Sequence, residues 1–101
     1  METLNFFPPF AADIIDGEKT QTVRYGEKRQ YHVHDVIQIT VGWDKKASKN
    51  LCKAVISGVS ECTICELPRL IQKELCVIYK TMFRPMDVFT IIKFFVMEAD
   101  K

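Results

Sequence analysis

The last long segment of the chain constrains the fold most. Residues 88–97 read Val-Phe-Thr-Ile-Ile-Lys-Phe-Phe-Val-Met, and Arg84-Pro85-Met86-Asp87 separates them from the residues before. β-Branched and aromatic residues dominate the run, which makes it a strand. It is too apolar to be an edge exposed on both faces. Val36-Ile37-Gln38-Ile39-Thr40-Val41, opened by Asp35, is the clearest strand of the first half. Further strands are expected over Leu4–Phe7, Thr20–Tyr25 and Leu51–Val59, the last interrupted near Gly58 by a bulge. Tyr31–Val33 is a candidate short extension, and the chain is turn-like from Gly26 to Gln30 and from Asp44 to Asn50. Glu61–Cys65 fits either strand or loop.

Helical spacing occurs twice. Phe10, Ala11, Ile14 and Ile15 follow Pro8-Pro9 and precede Gly17, the pattern of a two-turn helix with a C-terminal glycine. From Glu66 onward, Leu67, Leu70, Ile71, Leu75, Ile78 and Met82 form an apolar stripe, with Arg69, Lys73 and Lys80 on the other side. The strands follow one another without regular crossover helices, which disfavours a parallel sheet. The expected architecture is α+β: one domain over residues 1–101, a small, mostly antiparallel sheet curled into a barrel, with two helices.

Composition excludes several classes. Seven Phe, three Tyr and one Trp in 101 residues exclude intrinsic disorder. No apolar run is long enough to cross a membrane as a helix, and the N-terminal residues lack a basic leader, so a cytosolic location and no membrane partner are expected. Fourteen basic residues face thirteen acidic ones. That balance favours a small ligand or transient partner over a tight grip on a polyanion.

Cys62-Thr63-Ile64-Cys65 is a CxxC, but Cys52 and Cys76 stand alone and His32 and His34 lie far upstream. A structural zinc site needs four ligands at closer spacing, so no metal is expected. Cys52, Cys65 and Cys76 fall among apolar residues and read as small hydrophobes. His32 and His34 would share a strand face, at the surface. Trp43 is either packed or available to stack on a base, and Lys45, Lys46 and Lys49 read as a solvated loop tip.

The informative stretch is Gly17-Glu18-Lys19-Thr20-Gln21-Thr22-Val23-Arg24, preceded by Phe6-Phe7-x-x-Phe10 and Asp13-Ile14. It resembles the ASCH family, whose fold is PUA-like and whose signature is Gly-x-Lys-x-x-Glu-x-Arg. Thr22 stands where that signature has Glu, as in the small YqfB-type proteins. Those proteins are amidohydrolases that remove the acetyl group from N(4)-acetylcytidine. The resemblance implies a nucleoside substrate, no cofactor, Lys19 as proton acceptor and Thr22 as nucleophile. It implies a substrate or structural contact for Arg24. A glutamate proton donor near the long helix corresponds to Glu74 after a small gap, with Glu66 as the alternative.

The residues themselves agree with this chemistry. A threonine hydroxyl is a weak nucleophile without a base in reach. A lysine becomes a base when burial disfavours its ammonium. Thr22 and Arg24 share one face of their strand, while Gln21, Val23 and Tyr25 share the other. Lys19 precedes the strand and is free of its alternation. Glu66 at the helix start has a dipole role to explain it. Glu74, beside Leu75, would be partly buried and hold a proton. A pocket at one mouth of the barrel would gather Lys19, Thr22, Arg24 and the carboxylate. The competing reading is an RNA-binding module without catalysis.

Overall fold

The computed structural model describes residues 2–26 and 28–99. Residue 27, inside the turn expected after Gly26, lies outside them. Five strands are present: β1 (Thr3–Phe6), β2 (Gln21–Tyr25), β3 (Val36–Val41), β4 (Lys49–Thr63) and β5 (Val88–Ala99). Two α-helices accompany them, α1 (Ala11–Ile15) and α2 (Arg69–Tyr79). The sheet runs β1-β3-β4-β5-β2, with β1 parallel to β3 and the remaining pairs antiparallel. β1 and β2 thus stand at opposite ends of the sheet. Yet Arg24 Nη2 on β2 donates to the Asn5 carbonyl on β1 at 2.8 Å. The sheet has therefore curled into a half-barrel, and a side chain bridges its seam.

β5 explains its own composition. Thr90, Ile92 and Phe94 point inward, where Ile92 and Phe94 join Leu4, Phe6, Ile14, Ile37, Ile39 and Ile56 in the main core. Phe89 and Ile91 point outward, into a second cluster under α2 with Ile64, Leu67, Leu75 and Phe83. A strand covered on both faces has no polar alternation. Beyond α2, Phe95 and Met97 are exposed. The bulge expected near Gly58 appears as a register shift between Ile56 and Gly58 in the β4–β5 ladder.

Several expectations need correction. Tyr31–Val33 forms no strand. His34 takes a left-handed φ of 77° there, and the Tyr31 ring instead turns into the core, its hydroxyl donating to the Thr3 carbonyl at 2.6 Å. His32 and His34 therefore share no strand face, although both are exposed. β4 runs on to Thr63, and a 3-10 turn covers Ile64–Glu66. The long helix starts only at Arg69, because Pro68 at its N-cap cannot sit in a helix interior. It ends at Tyr79, with Lys80 left-handed at φ 53°. Met82 is therefore not helical, and Leu70 points outward. Only Ile71 and Leu75 of α2's stripe reach the second cluster. Cys65 is exposed, unlike buried Cys52.

Candidate functional site

Just beyond the end of α1, Gly17 takes a φ of +79°, which glycine adopts without steric cost. That left-handed step turns the chain back over the helix end. The Glu18 and Lys19 amides both donate to the Asp13 carbonyl, at 2.9 and 3.0 Å. Lys19 is thus anchored by its backbone before β2 begins. Its side chain lies across two rings, with Nζ 4.9 Å from the Phe10 centroid and 5.7 Å from that of Phe6.

The Lys19 ammonium is held below its ordinary pKa. Burial is the main cause and the Arg24 charge the next; Glu74 and Asp13 act in the opposite direction. Arg24 sits 4.8 Å over the same Phe6 ring. Its Nε is buried and makes no hydrogen bond among the described residues. An arginine stays charged even so. Two cations therefore share one aromatic ring, and neither makes an ion pair among the described residues.

Thr22 lies between them in sequence, on β2. Its partner across the ladder is Ile92, a main-core residue, and the pair shares the inner face. Thr22 is 8% exposed. Arg24, two residues on, shares that face and pairs with buried Thr90. Asn5 completes the seam: it gives its carbonyl to Arg24, accepts from Thr40 Oγ1 at 2.8 Å, and donates to the Gly42 carbonyl at 3.1 Å. Lys19 and Arg24 thus meet at the Phe6 ring, and Thr22 sits on the inner face of β2 that carries Arg24.

The carboxylates are placed differently. α2 packs on the outer face of β2, through Val23, opposite Thr22. Glu74 is exposed, not partly buried as its position beside Leu75 suggests. Its charge acts on Lys19 at a distance, raising the ammonium's pKa against the effect of burial. Glu66 accepts the Thr63 amide at 3.1 Å in a capping box around the 3-10 turn. Its charge and, first, burial push the Cys62 thiol up.

An open groove of about 490 Å³ runs beside the anchored lysine. Phe10, Asp13, Glu18, Lys19, Thr20 and Gln21 line it, which is a size suited to a small organic ligand. Thr22, Arg24 and Glu74 do not line it, so the expected four-residue mouth is represented there by Lys19 alone. Sequence reasoning also missed Asn5, whose signal, a polar residue inside an apolar strand, was present. Trp43 is 70% exposed and stacks on Phe7 at 5.1 Å. Gly42 sets that turn: a Cβ there would lie 2.7 Å from the Ser48 Cα.

Comparison with solved structures shows the same architecture repeatedly. An ASCH domain from Lactobacillus crispatus JV V101 superposes with a TM-score of 0.63 at 17% identity, over 96% of this chain and 80% of that one. The fold is that of an ASCH domain. The ASCH protein of Zymomonas mobilis gives a TM-score of 0.63 at 13% identity, over 97% and 71% of the two chains. A protein of Enterococcus faecalis V583, described by the family model DUF984, gives 0.62 at 15%, over 92% and 72%. No family model and no curated relative matches the sequence. No described helix of this ASCH-like chain is long and apolar enough to cross a membrane.

Proposed function

We propose that this chain belongs to the ASCH family as an amidohydrolase that removes the acetyl group from N(4)-acetylcytidine or a related N-acylated pyrimidine nucleoside. The observation that carries the reading is Lys19: a lysine anchored by its backbone, laid on two aromatic rings and driven toward its neutral form by burial and by Arg24. A lowered pKa makes the neutral amine, the basic form, easier to reach, and Thr22 lies three residues away on the inner face.

In this mechanism Lys19 takes the Thr22 hydroxyl proton as Oγ1 attacks the acetyl carbon. Arg24 faces the negative charge that develops on the acetyl oxygen. The C–N bond breaks, the N4 amine leaves with a proton, and the acetyl group stays on Thr22 as an ester until water hydrolyses it. Glu74 is the donor that the family resemblance implies, and its charge acts on Lys19. Substrate entry requires the cover over Thr22 to part. The test is incubation of the purified protein with N(4)-acetylcytidine, with cytidine followed by chromatography. Release of cytidine that Lys19→Ala removes supports the reading; no release from N(4)-acetylcytidine or other N-acylated cytidines refutes it.

A second reading, an RNA-binding module, is favoured by Trp43. Its exposed ring, backed by Phe7, is the kind of platform on which a single-stranded base stacks. Submicromolar binding of single-stranded RNA at physiological salt, lost in Trp43→Ala, would favour it.

A further inference from the structure

We propose that α2 is a self-association face, on which a second copy of this chain docks antiparallel about a two-fold axis between residues 73 and 74. Helix α2 has two apolar sides. Ile71 and Leu75 face the sheet, where they meet Val23, Phe89 and Ile91. Leu70 and Val77, seven residues apart, point the other way and are 74% and 76% exposed. Lys73 and Glu74 lie between them on the same outward arc, both exposed. Two large aliphatic residues one above the other, facing water on the outside of a helix, mark an interaction surface more than a solvated face.

The pattern of this surface selects its partner. The sequence Leu70-x-x-Lys73-Glu74-x-x-Val77 complements itself when read in reverse. An antiparallel pairing centred between residues 73 and 74 sets Leu70 against Val77 of the partner subunit. It sets Lys73 against Glu74 of the partner subunit. Two-fold symmetry repeats each contact, so two apolar pairs flank two opposite-charge pairs. An isologous interface requires this self-complementarity. A parallel pairing in the same register would oppose like charges. Met82 and Met86, beyond the helix end, are also exposed, at 87% and 81%. The helix has eleven residues, about 16 Å of length. That is short for a standard interface of roughly 800 Å² per partner, so the association is weak and dependent on concentration.

The inference shares Glu74 with the proposed chemistry but rests on the exposed face of α2, and its test reads mass rather than activity. In sedimentation equilibrium over a wide concentration range, the apparent mass rises from 11.7 kDa toward twice that value. Leu70→Glu weakens association by about tenfold or more without changing the thermal melt, since Leu70 makes no core contact. Val77→Lys is the second disruptive variant. Lys73→Glu dissociates the dimer by opposing like charges, and the swap Lys73→Glu with Glu74→Lys restores it. A single 11.7 kDa species at every concentration overturns the proposal. So does a dimer indifferent to Leu70→Glu and Val77→Lys, or a charge swap that fails to restore association.

Discussion

Replacing Phe6 by leucine tests the centre of the site, because one ring carries both cations and part of the core. Phe6 is buried, 5.9 Å from the Phe94 ring at 54°. Leucine keeps the position apolar, and such a swap by itself costs about 1 kcal/mol. Loss of the Phe94 ring pair adds about 1 kcal/mol. Loss of the ring under Arg24, whose guanidinium is largely desolvated, adds about 1 kcal/mol, and the more exposed Lys19 contact adds less. The expected destabilisation is about 2–4 kcal/mol, read as a lower urea midpoint at unchanged slope. Phe94→Leu is the control: it breaks the same ring pair but touches neither cation, and it costs less. A second readout is the pH profile. The ring favours the ammonium form of Lys19, so its removal moves the acidic limb of the rate profile to lower pH. Equal costs for the two leucine variants, together with an unmoved limb, would refute the shared-ring account.

Four further outcomes are expected. Thr22→Ala abolishes deacetylation while Thr22→Ser keeps measurable activity, by product chromatography; full activity in the alanine variant sinks the nucleophile assignment. Lys19→Met is inactive yet more stable than wild type at neutral pH. Because the folded-state pKa of Lys19 lies below its unfolded value, the unfolded chain binds more protons between the two, and wild-type stability rises with pH through that window. The gain in Lys19→Met therefore shrinks as pH rises, and denaturation curves with equal pH slopes would contradict it. Lys80→Gly stabilises by about 0.5–1 kcal/mol in urea, because Lys80 holds a left-handed conformation at the α2 C-terminus. Glu74→Gln lowers kcat with little loss of stability, whereas Glu66→Gln costs only the cap on Thr63; the reverse pattern would move the donor to Glu66.

Particular residues show what could be read in advance. β3 and β5 were readable because their composition reflects burial directly: β5 is apolar throughout since the main core and α2 cover its two faces. Gly17 marked the end of α1 because only a left-handed step closes that turn. That Thr22 and Arg24 share one face followed from strand alternation, but which face would turn inward did not. Other features depended on tertiary context. Leu70 has the helical spacing of a core residue, but α2 meets the sheet along a narrow line, so spacing could not say which apolar side would face in. Tyr31 sits among β-formers, yet its ring is worth more in the core than its backbone is in a ladder. Glu74 lies beside a buried leucine in sequence and in water in the fold, because neighbouring helical positions point 100° apart.

The seam explains why the candidate site lies where it does. A curled sheet of five strands leaves β1 and β2 as its two ends, and neither has a ladder partner on its outer side. Backbone groups facing inward at such an edge need partners from side chains. Asn5 and Arg24 supply one, since the Asn5 carbonyl accepts from Arg24. Arginine suits the position because it can span the gap and stay charged while partly buried. Lys19 is brought close by the Gly17 turn and laid on Phe6 and Phe10; burial there lowers its pKa first, and the Arg24 charge adds to the effect. Under the proposed chemistry, a latch that closes the fold also helps to make Lys19 a base. On this view Arg24→Lys retains more activity than Arg24→Gln at equal stability, because the charge, rather than the guanidinium fork, acts on Lys19. If Gln and Lys variants were equally active and their acidic limbs coincided, Arg24 would be a structural latch and nothing more.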